Sequence, residues 1–267
     1  MTKWTSELIP PAPRIAVDHM GNGPLVVFLH GIGGNRTLWH EQLVAFAPHF
    51  HAVAWDARGY GSSDDFEGPF DFGDISADLI RVLDHFKAEK AHIVGLSMGG
   101  IIAMEFCGRF PDRLQTLTIC DSSEGLGAIP ADQRRDFIRS RQEPLLAGKE
   151  PRDIAAEVAR SLTSSSAPES VYERLVEGMA ALHKGTYLKA IEAVANVKGL
   201  KLEEIRAPTH VVVGGLDRLA PPSVSRGLSE RIPKAEFSII PEAGHIANIE
   251  QPQAFNDIVS GFLLRHR

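Results

Sequence analysis

The sequence predicts an α/β fold: a mostly parallel central sheet flanked by helices and interrupted by a helical insertion. Short strand-like runs at 25–29, 52–55, 91–94 and 114–120 alternate with helical patterns. The run at 25–29 is continuously apolar, which suits a strand covered on both faces, as in a parallel sheet, and the alternation itself marks βαβ units. It breaks from Asp121: residues 122–200 hold several helical patterns and no convincing strand, after which alternation resumes at 210–213. Residues 1–121 and 201–267 are therefore expected to form the core. Residues 122–200 are expected to lie over the sheet as a cap, giving one structural domain with an insertion.

Residues 1–13, polar and proline-rich, read as a loosely held arm, and 14–20 as an edge strand closed by the turn signal Gly21-Asn22-Gly23-Pro24. The strand at 25–29 ends in His30-Gly31-Ile32-Gly33-Gly34. A helix is expected over 38–47, a buried strand over 52–55 and a glycine-rich loop over 56–64. From Asp74, the residues Ile75, Leu79, Val82, Leu83 and Phe86 recur at helical spacing. The strand at 91–94 runs into Gly95-Leu96-Ser97-Met98-Gly99, whose helix stops before Pro111. In the insertion, Ser164-Ser165-Ser166 reads as a loop. Pro168-Glu169-Ser170 opens a helix with Val171, Leu175 and Met179 on one face. After 210–213 come a helix near 223–231, a strand at 237–240 and a final helix from Pro252, with Phe255, Ile258, Val259, Phe262 and Leu263 on one side.

At 267 residues and 43% hydrophobic content the chain can bury a full core. Net charge is −6, with no basic stripe and no run of like charges, so a nucleic-acid partner is not expected. The two cysteines, Cys107 and Cys120, fall in a helix and a strand without metal-ligand spacing. No metal and no cofactor is implied. The first residues show no apolar signal region, and the run at 25–29 is far too short to span a bilayer. The expectation is a cytoplasmic protein without a membrane partner.

The chain centres on Gly95-Leu96-Ser97-Met98-Gly99-Gly100. A serine at an abrupt strand-to-helix reversal sits in a strained turn, and a Cβ at position 95 or 99 would collide with the neighbouring backbone. The turn lifts the serine hydroxyl above the sheet, with the N-terminus of the next helix aimed at the same spot. A serine hydroxyl is a poor nucleophile near neutral pH. It needs a base in hydrogen-bond reach, and the base needs a carboxylate to fix its tautomer. Asp217 follows the strand at 210–213 through Gly214-Gly215, and His245 follows the strand at 237–240 through Gly244. Among eleven histidines, His245 is the candidate base. His40, His49, His51 and His85 lie in or beside amphipathic elements. Asp217 has a rival in Asp121, which directly follows a strand. Asp56 is expected to fix the turn at 58–61. The oxyanion needs two N–H donors. Met98, next to the nucleophile, offers one, and Ile32, in the glycine-rich loop after the first parallel strand, offers the other. That loop lacks the closing lysine and Ser/Thr of a phosphate loop.

Taken together, His30-Gly31, the 56–63 loop, Gly95–Gly100, Asp217 and Gly244-His245 resemble the α/β-hydrolase superfamily from about Pro24 to Phe262. The α/β-hydrolase fold, with a helical cap, is therefore expected. Within that superfamily the chain is most similar to the 3-oxoadipate enol-lactonases at Gly95–Gly100, Phe110–Leu114, Tyr187–Ile191 and His245–Glu250. It departs from them at His30-Gly31-Ile32-Gly33, where those lactonases often carry Asn-Ser-Leu-Gly. The resemblance implies hydrolysis of a small ester or lactone through an acyl-enzyme on Ser97. Alternative readings on the same fold are a carbon–carbon bond hydrolase of ring-cleavage products, a cofactor-free perhydrolase and a slow-turnover ligand receptor. If the substrate carries a carboxylate arm, as an enol-lactone would, the pocket must supply a cation. Arg139 and Arg141 of the first cap helix are the candidates. They lie on different helix faces, and Arg141 is the one chosen to point inward, against the plainer reading of a solvated arginine.

Overall fold

The computed structural model describes residues 4–127 and 130–267. Its strands are Thr5–Ile9 (β1), Ile15–Met20 (β2), Leu25–Leu29 (β3), His51–Trp55 (β4), Ala91–Leu96 (β5), Leu114–Cys120 (β6), Thr209–Gly214 (β7) and Glu236–Ile240 (β8). They form one sheet in the order β1-β2-β4-β3-β5-β6-β7-β8. From β4 to β8 every pairing is parallel, whereas β2 runs antiparallel to both of its neighbours.

Alternate residues of a strand point to opposite faces, and β3 shows the consequence. Leu25, Val27 and Leu29 join one core with Ile75, Leu79, Ile102 and Phe106, from the helices Phe72–His85 (α2) and Met98–Arg109 (α3). Val26 and Phe28 join a second core with Leu43, Phe255 and Phe262, from His40–Phe46 (α1) and Pro252–Leu264 (α10). Because both faces are covered, every position of β3 and β5 is buried, which is why β3 reads as an unbroken apolar run and β5 as one broken only by His92. The helix Pro222–Arg231 (α8) follows β7 and contributes Leu228 to the first core.

Among the described residues four α-helices lie between β6 and β7: Ala131–Leu146 (α4), Pro151–Leu162 (α5), Glu169–Ala180 (α6) and Lys184–Asn196 (α7). Val171, Leu175 and Met179 of α6 are buried, at the helical spacing read from the sequence. Among the described residues, 122–200 contain no strand.

Two expectations need correction. Residues 5–9 are not a loose arm but the strand β1, so the edge of the sheet is β1 and not 14–20. Only Ile9 of β1 is buried; the strand is held by its backbone ladder to β2, which leaves no apolar alternation to read. The helix expected over 38–47 begins as a 3₁₀ turn, Arg36–Trp39, capped by the Asn35 side chain, and becomes α-helical only at His40.

Candidate active site

Ser97 stands between β5 and α3 with φ 54° and ψ −117°, a left-handed conformation rare for a residue with a Cβ. Its N–H donates to the Cys120 carbonyl at 2.9 Å, and its own carbonyl accepts the Gly100 N–H at 2.9 Å and the Ser122 hydroxyl at 2.7 Å. A Cβ on Gly95 would overlap the Gly99 carbonyl, and one on Gly99 would overlap the Leu29 carbonyl. The strain is therefore held by backbone packed too closely to admit any other residue.

Strands β5, β7 and β8 deliver Ser97, Asp217 and His245 to the same carboxyl edge of the sheet. Nε2 of His245 lies 2.9 Å from the Ser97 Oγ, and its Nδ1 lies 2.8 Å from Asp217 Oδ2. With Nδ1 carrying the proton toward Asp217, Nε2 is left to accept from the serine hydroxyl. The other oxygen of Asp217 accepts the N–H groups of Leu219 at 2.8 Å and Ala220 at 3.0 Å. Burial alone would raise the Asp217 pKa. The His245 bond and charge and these two N–H groups outweigh it and hold the carboxylate below its ordinary range.

Asp121, fully buried, does not touch the imidazole. It accepts the Gly214 N–H at 2.7 Å, where β7 turns toward Asp217, and the Ala247 N–H at 3.4 Å, just beyond His245. Burial, with the Asp217 charge adding to it, pushes the Asp121 carboxyl well above the ordinary range. Asp56 accepts the Arg36 N–H and pairs with the Arg36 guanidinium, and it takes the Ser62 N–H at 2.8 Å, closing the turn after β4.

The loop after β3 passes directly over Ser97: a Cβ on Gly31 would lie 3.1 Å from the Ser97 Cβ. The buried His30 fixes this loop. Its Nδ1–H donates to the Gly31 carbonyl at 2.8 Å, and its Nε2 accepts the Ala57 N–H at 3.1 Å. Burial lowers the His30 pKa against the pull of Asp56, so the ring is the neutral species this pattern requires. Met98 is the first residue of α3, where an N–H has no partner inside the helix. Ile32 and Met98 both line the cavity into which Ser97 and His245 open.

That cavity has a volume of about 400 Å³. The sheet side supplies Ser97, His245, Ile32 and Met98; the four-helix insertion supplies Phe137, Arg141, Val158, Leu162 and Tyr187. Arg141 is half-buried and lies 3.8 Å from the centre of the Phe137 ring. Burial lowers its pKa, with Tyr187 opposing that effect, and among the described residues no carboxylate pairs with it. Arg139 is 71% exposed and pairs with Asp136 at 2.9 Å, outside the cavity. Of the other histidines, His40 bonds Asp18, His51 bonds His19 and His85 pairs with Glu7. Among the described residues no cluster of histidine, cysteine and carboxylate side chains converges as metal ligands would.

A family model described as alpha/beta hydrolase fold matches residues 24–252. The chain belongs to the α/β-hydrolase family. Within it, the chain is 29% identical over 246 residues to 3-oxoadipate enol-lactonase 2 of Acinetobacter baylyi, covering 91% of this chain and 89% of that protein. It is 28% identical over 270 residues to the 2-hydroxy-6-oxononadienedioate/2-hydroxy-6-oxononatrienedioate hydrolase of Klebsiella pneumoniae, covering 94% and 91%. It superposes on a malate-bound thermophilic esterase from Thermogutta terrifontis with a TM-score of 0.88 at 25% identity, covering 100% of both chains. The α/β-hydrolase sheet and its flanking helices are thus shared with enzymes of hydrolytic function.

Three residues carry geometry that the sequence did not single out: Ser122 on the Ser97 carbonyl, His30 within the loop over Ser97, and Glu250, which accepts the Gly244 N–H at 3.0 Å. His30 left a trace as part of the His-Gly pair after a buried strand, and Glu250 as the last residue of the His245–Glu250 stretch; Ser122 left none.

Proposed function

We propose that this α/β-hydrolase cleaves a small carboxylic ester or lactone through an acyl-enzyme on Ser97. The observation that carries the reading is the hydrogen-bonded series Asp217–His245–Ser97 opening into the cavity. As Ser97 Oγ attacks the carbonyl carbon, its proton passes to His245 Nε2, and Asp217 stabilises the imidazolium. The negative charge that collects on the carbonyl oxygen is received by the N–H groups of Ile32 and Met98. Collapse of the tetrahedral species breaks the carbon–oxygen bond, and His245 returns the proton to the departing alcohol oxygen. In a lactone that alcohol stays tethered to the acyl group. Water, deprotonated by His245, then attacks the acyl-enzyme, and the released Ser97 recovers its proton.

The insertion supplies the wall that contacts the rest of the substrate. Arg141, a cavity guanidinium with no carboxylate partner among the described residues, suits a substrate with its own carboxylate. The names of the relatives carry such groups: an oxoadipate lactone, a nonadienedioate and bound malate.

The test is a screen of short-chain esters and lactones, with Ser97→Ala as control, that includes a half-ester carrying a carboxylate and its neutral diester. Arg141→Ala is expected to raise KM for the anionic half-ester by about 10-fold or more and to leave the diester within about twofold. Equal effects on both would remove Arg141 from substrate binding. Hydrolysis that survives in Ser97→Ala would remove the acyl-enzyme.

A further inference from the structure

Glu250 ends the short helix Ala247–Glu250 (α9), is 4% exposed, and takes no part in the Asp217–His245–Ser97 series. One of its oxygens, Oε2, accepts two backbone N–H groups from distant parts of the chain. One is that of Gly244, immediately before His245, at 3.0 Å; the other is that of Ser164, in the turn between α5 and α6, at 3.1 Å. The end of α5, just before that turn, receives the N–H of His245 itself, which donates to the Leu162 carbonyl at 3.0 Å. Next to it the Ser166 hydroxyl donates to the Glu242 carbonyl at 3.3 Å. The backbone around the base is therefore bonded to the helical insertion as well as to the sheet. On the sheet side it is held by Asp121 through the Ala247 N–H.

A buried carboxylate is costly unless hydrogen-bonded, and Oε1 of Glu250 has no partner among the described residues. A side chain kept there at that cost must be supplying something the fold cannot otherwise provide. It supplies an acceptor for two N–H groups that would otherwise be orphaned in the interior. There is also no slack at the joint: a Cβ on Gly244 would lie 2.6 Å from the Ser164 nitrogen and 2.7 Å from Glu250 Oε1. The turn is the direct continuation of α5, whose Ile154, Val158 and Leu162 line the cavity.

We propose that Glu250 is a positioning residue that locks the α5–α6 turn to the His245 loop, so that the cavity wall and the base move as one body. The inference rests on the hydrolase reading above. A substrate that seats against α5 then sets the distance from His245 Nε2 to Ser97 Oγ, and loss of the lock loosens the base without emptying the cavity.

The experiment uses the whole chain and a fluorophosphonate probe, read as the maximal rate of Ser97 modification and the probe concentration at half-maximal rate. Both are measured well below each variant's melting temperature. Glu250→Ala is expected to lower the maximal rate about 10- to 100-fold while the half-saturating concentration stays within about twofold. Glu250→Gln keeps an oxygen acceptor and is expected to recover to within about threefold of the parent. Ser164→Ala loses the hydroxyl that meets Ser166 Oγ at 3.1 Å; Ser164→Pro loses in addition the N–H on the insertion side and is expected to slow modification about 3- to 10-fold relative to Ser164→Ala, with Glu250 intact. That comparison decides the matter if Glu250→Ala does not fold. Unchanged maximal rates in the folded variants, or a glutamine no better than alanine, would overturn the role of Glu250. Modification that persists in Ser97→Ala would instead overturn the hydrolase reading, so the two failures are distinguishable.

Discussion

At the scale of single residues, two buried aspartates stand beside the His245 loop and only one reaches the ring. Asp217 bonds Nδ1, whereas Asp121 bonds the backbone of the two loops that carry Asp217 and His245. Asp217→Asn is expected to lower kcat by up to ~10⁴-fold, because the amide no longer fixes the imidazole tautomer. Asp121→Asn keeps an oxygen for the Gly214 N–H and is expected to cost about 10-fold or less. Steady-state kinetics on one ester checks both, and a reversed order would exchange their roles. Each closely follows a strand, and the sequence favours Asp217 over Asp121 only through Gly214-Gly215, which free its loop to bend inward; in the structure it is Asp217 that meets the ring. The order of serine, aspartate and histidine was legible because each sits at a strand end with glycine beside it. The roles of Ser122 and Glu250 were not legible. They depend on which backbone group each residue meets 25 and 86 residues away, and no local pattern encodes that.

At the scale of elements, the elbow is held by backbone in close approach on both sides. Gly99 lies against the Leu29 carbonyl, so α3 crosses β3 with no space for a methyl group. Gly99→Ala is expected to destabilise the protein by about 1–3 kcal/mol. For a chain of this size that lowers Tm by roughly 3–10 °C, and hydrolytic activity should fall further than stability alone explains. A thermal melt beside an activity assay reads both, and a variant with parental Tm and turnover would show that the close approach is not required. The buried parallel strands were legible because short apolar runs, unbroken in β3, alternate with helical patterns, and α2 and α6 because their buried residues keep helical spacing. The strand β1 was not, since a strand with one buried residue, paired through its backbone, leaves no hydrophobic pattern. The same limit applies to the start of α1, where the Asn35 cap and a 3₁₀ turn precede the helix.

At the scale of the whole molecule, the core carries a pH dependence of its own. His92 and His210 are buried in β5 and β7, and burial pushes each down to about 4 from an ordinary 6.5. Between those values the unfolded chain binds protons that the folded chain refuses, so stability rises with pH. Their contribution is complete above pH 6.5 and is lost as pH falls toward 4. His92→Gln, which cannot titrate and can still reach the Thr116 hydroxyl that His92 bonds at 2.8 Å, is expected to flatten the fall of Tm between pH 6.5 and 4. Melts across that range check it, and an unchanged slope would mean that His92 titrates as an exposed histidine. No described helix is long and apolar enough to cross a membrane. The molecule as a whole places a strained serine, a histidine and a fixed carboxylate at the carboxyl edge of the sheet, beneath a wall of helices. The most direct test is rapid acid quench of the protein during turnover of p-nitrophenyl acetate, followed by peptide mass spectrometry. The expected result is an acetyl group on the peptide that contains Ser97, absent from Ser97→Ala and greatly reduced in His245→Ala. Turnover with no acylated Ser97, or with the acetyl group on another residue, would contradict the mechanism.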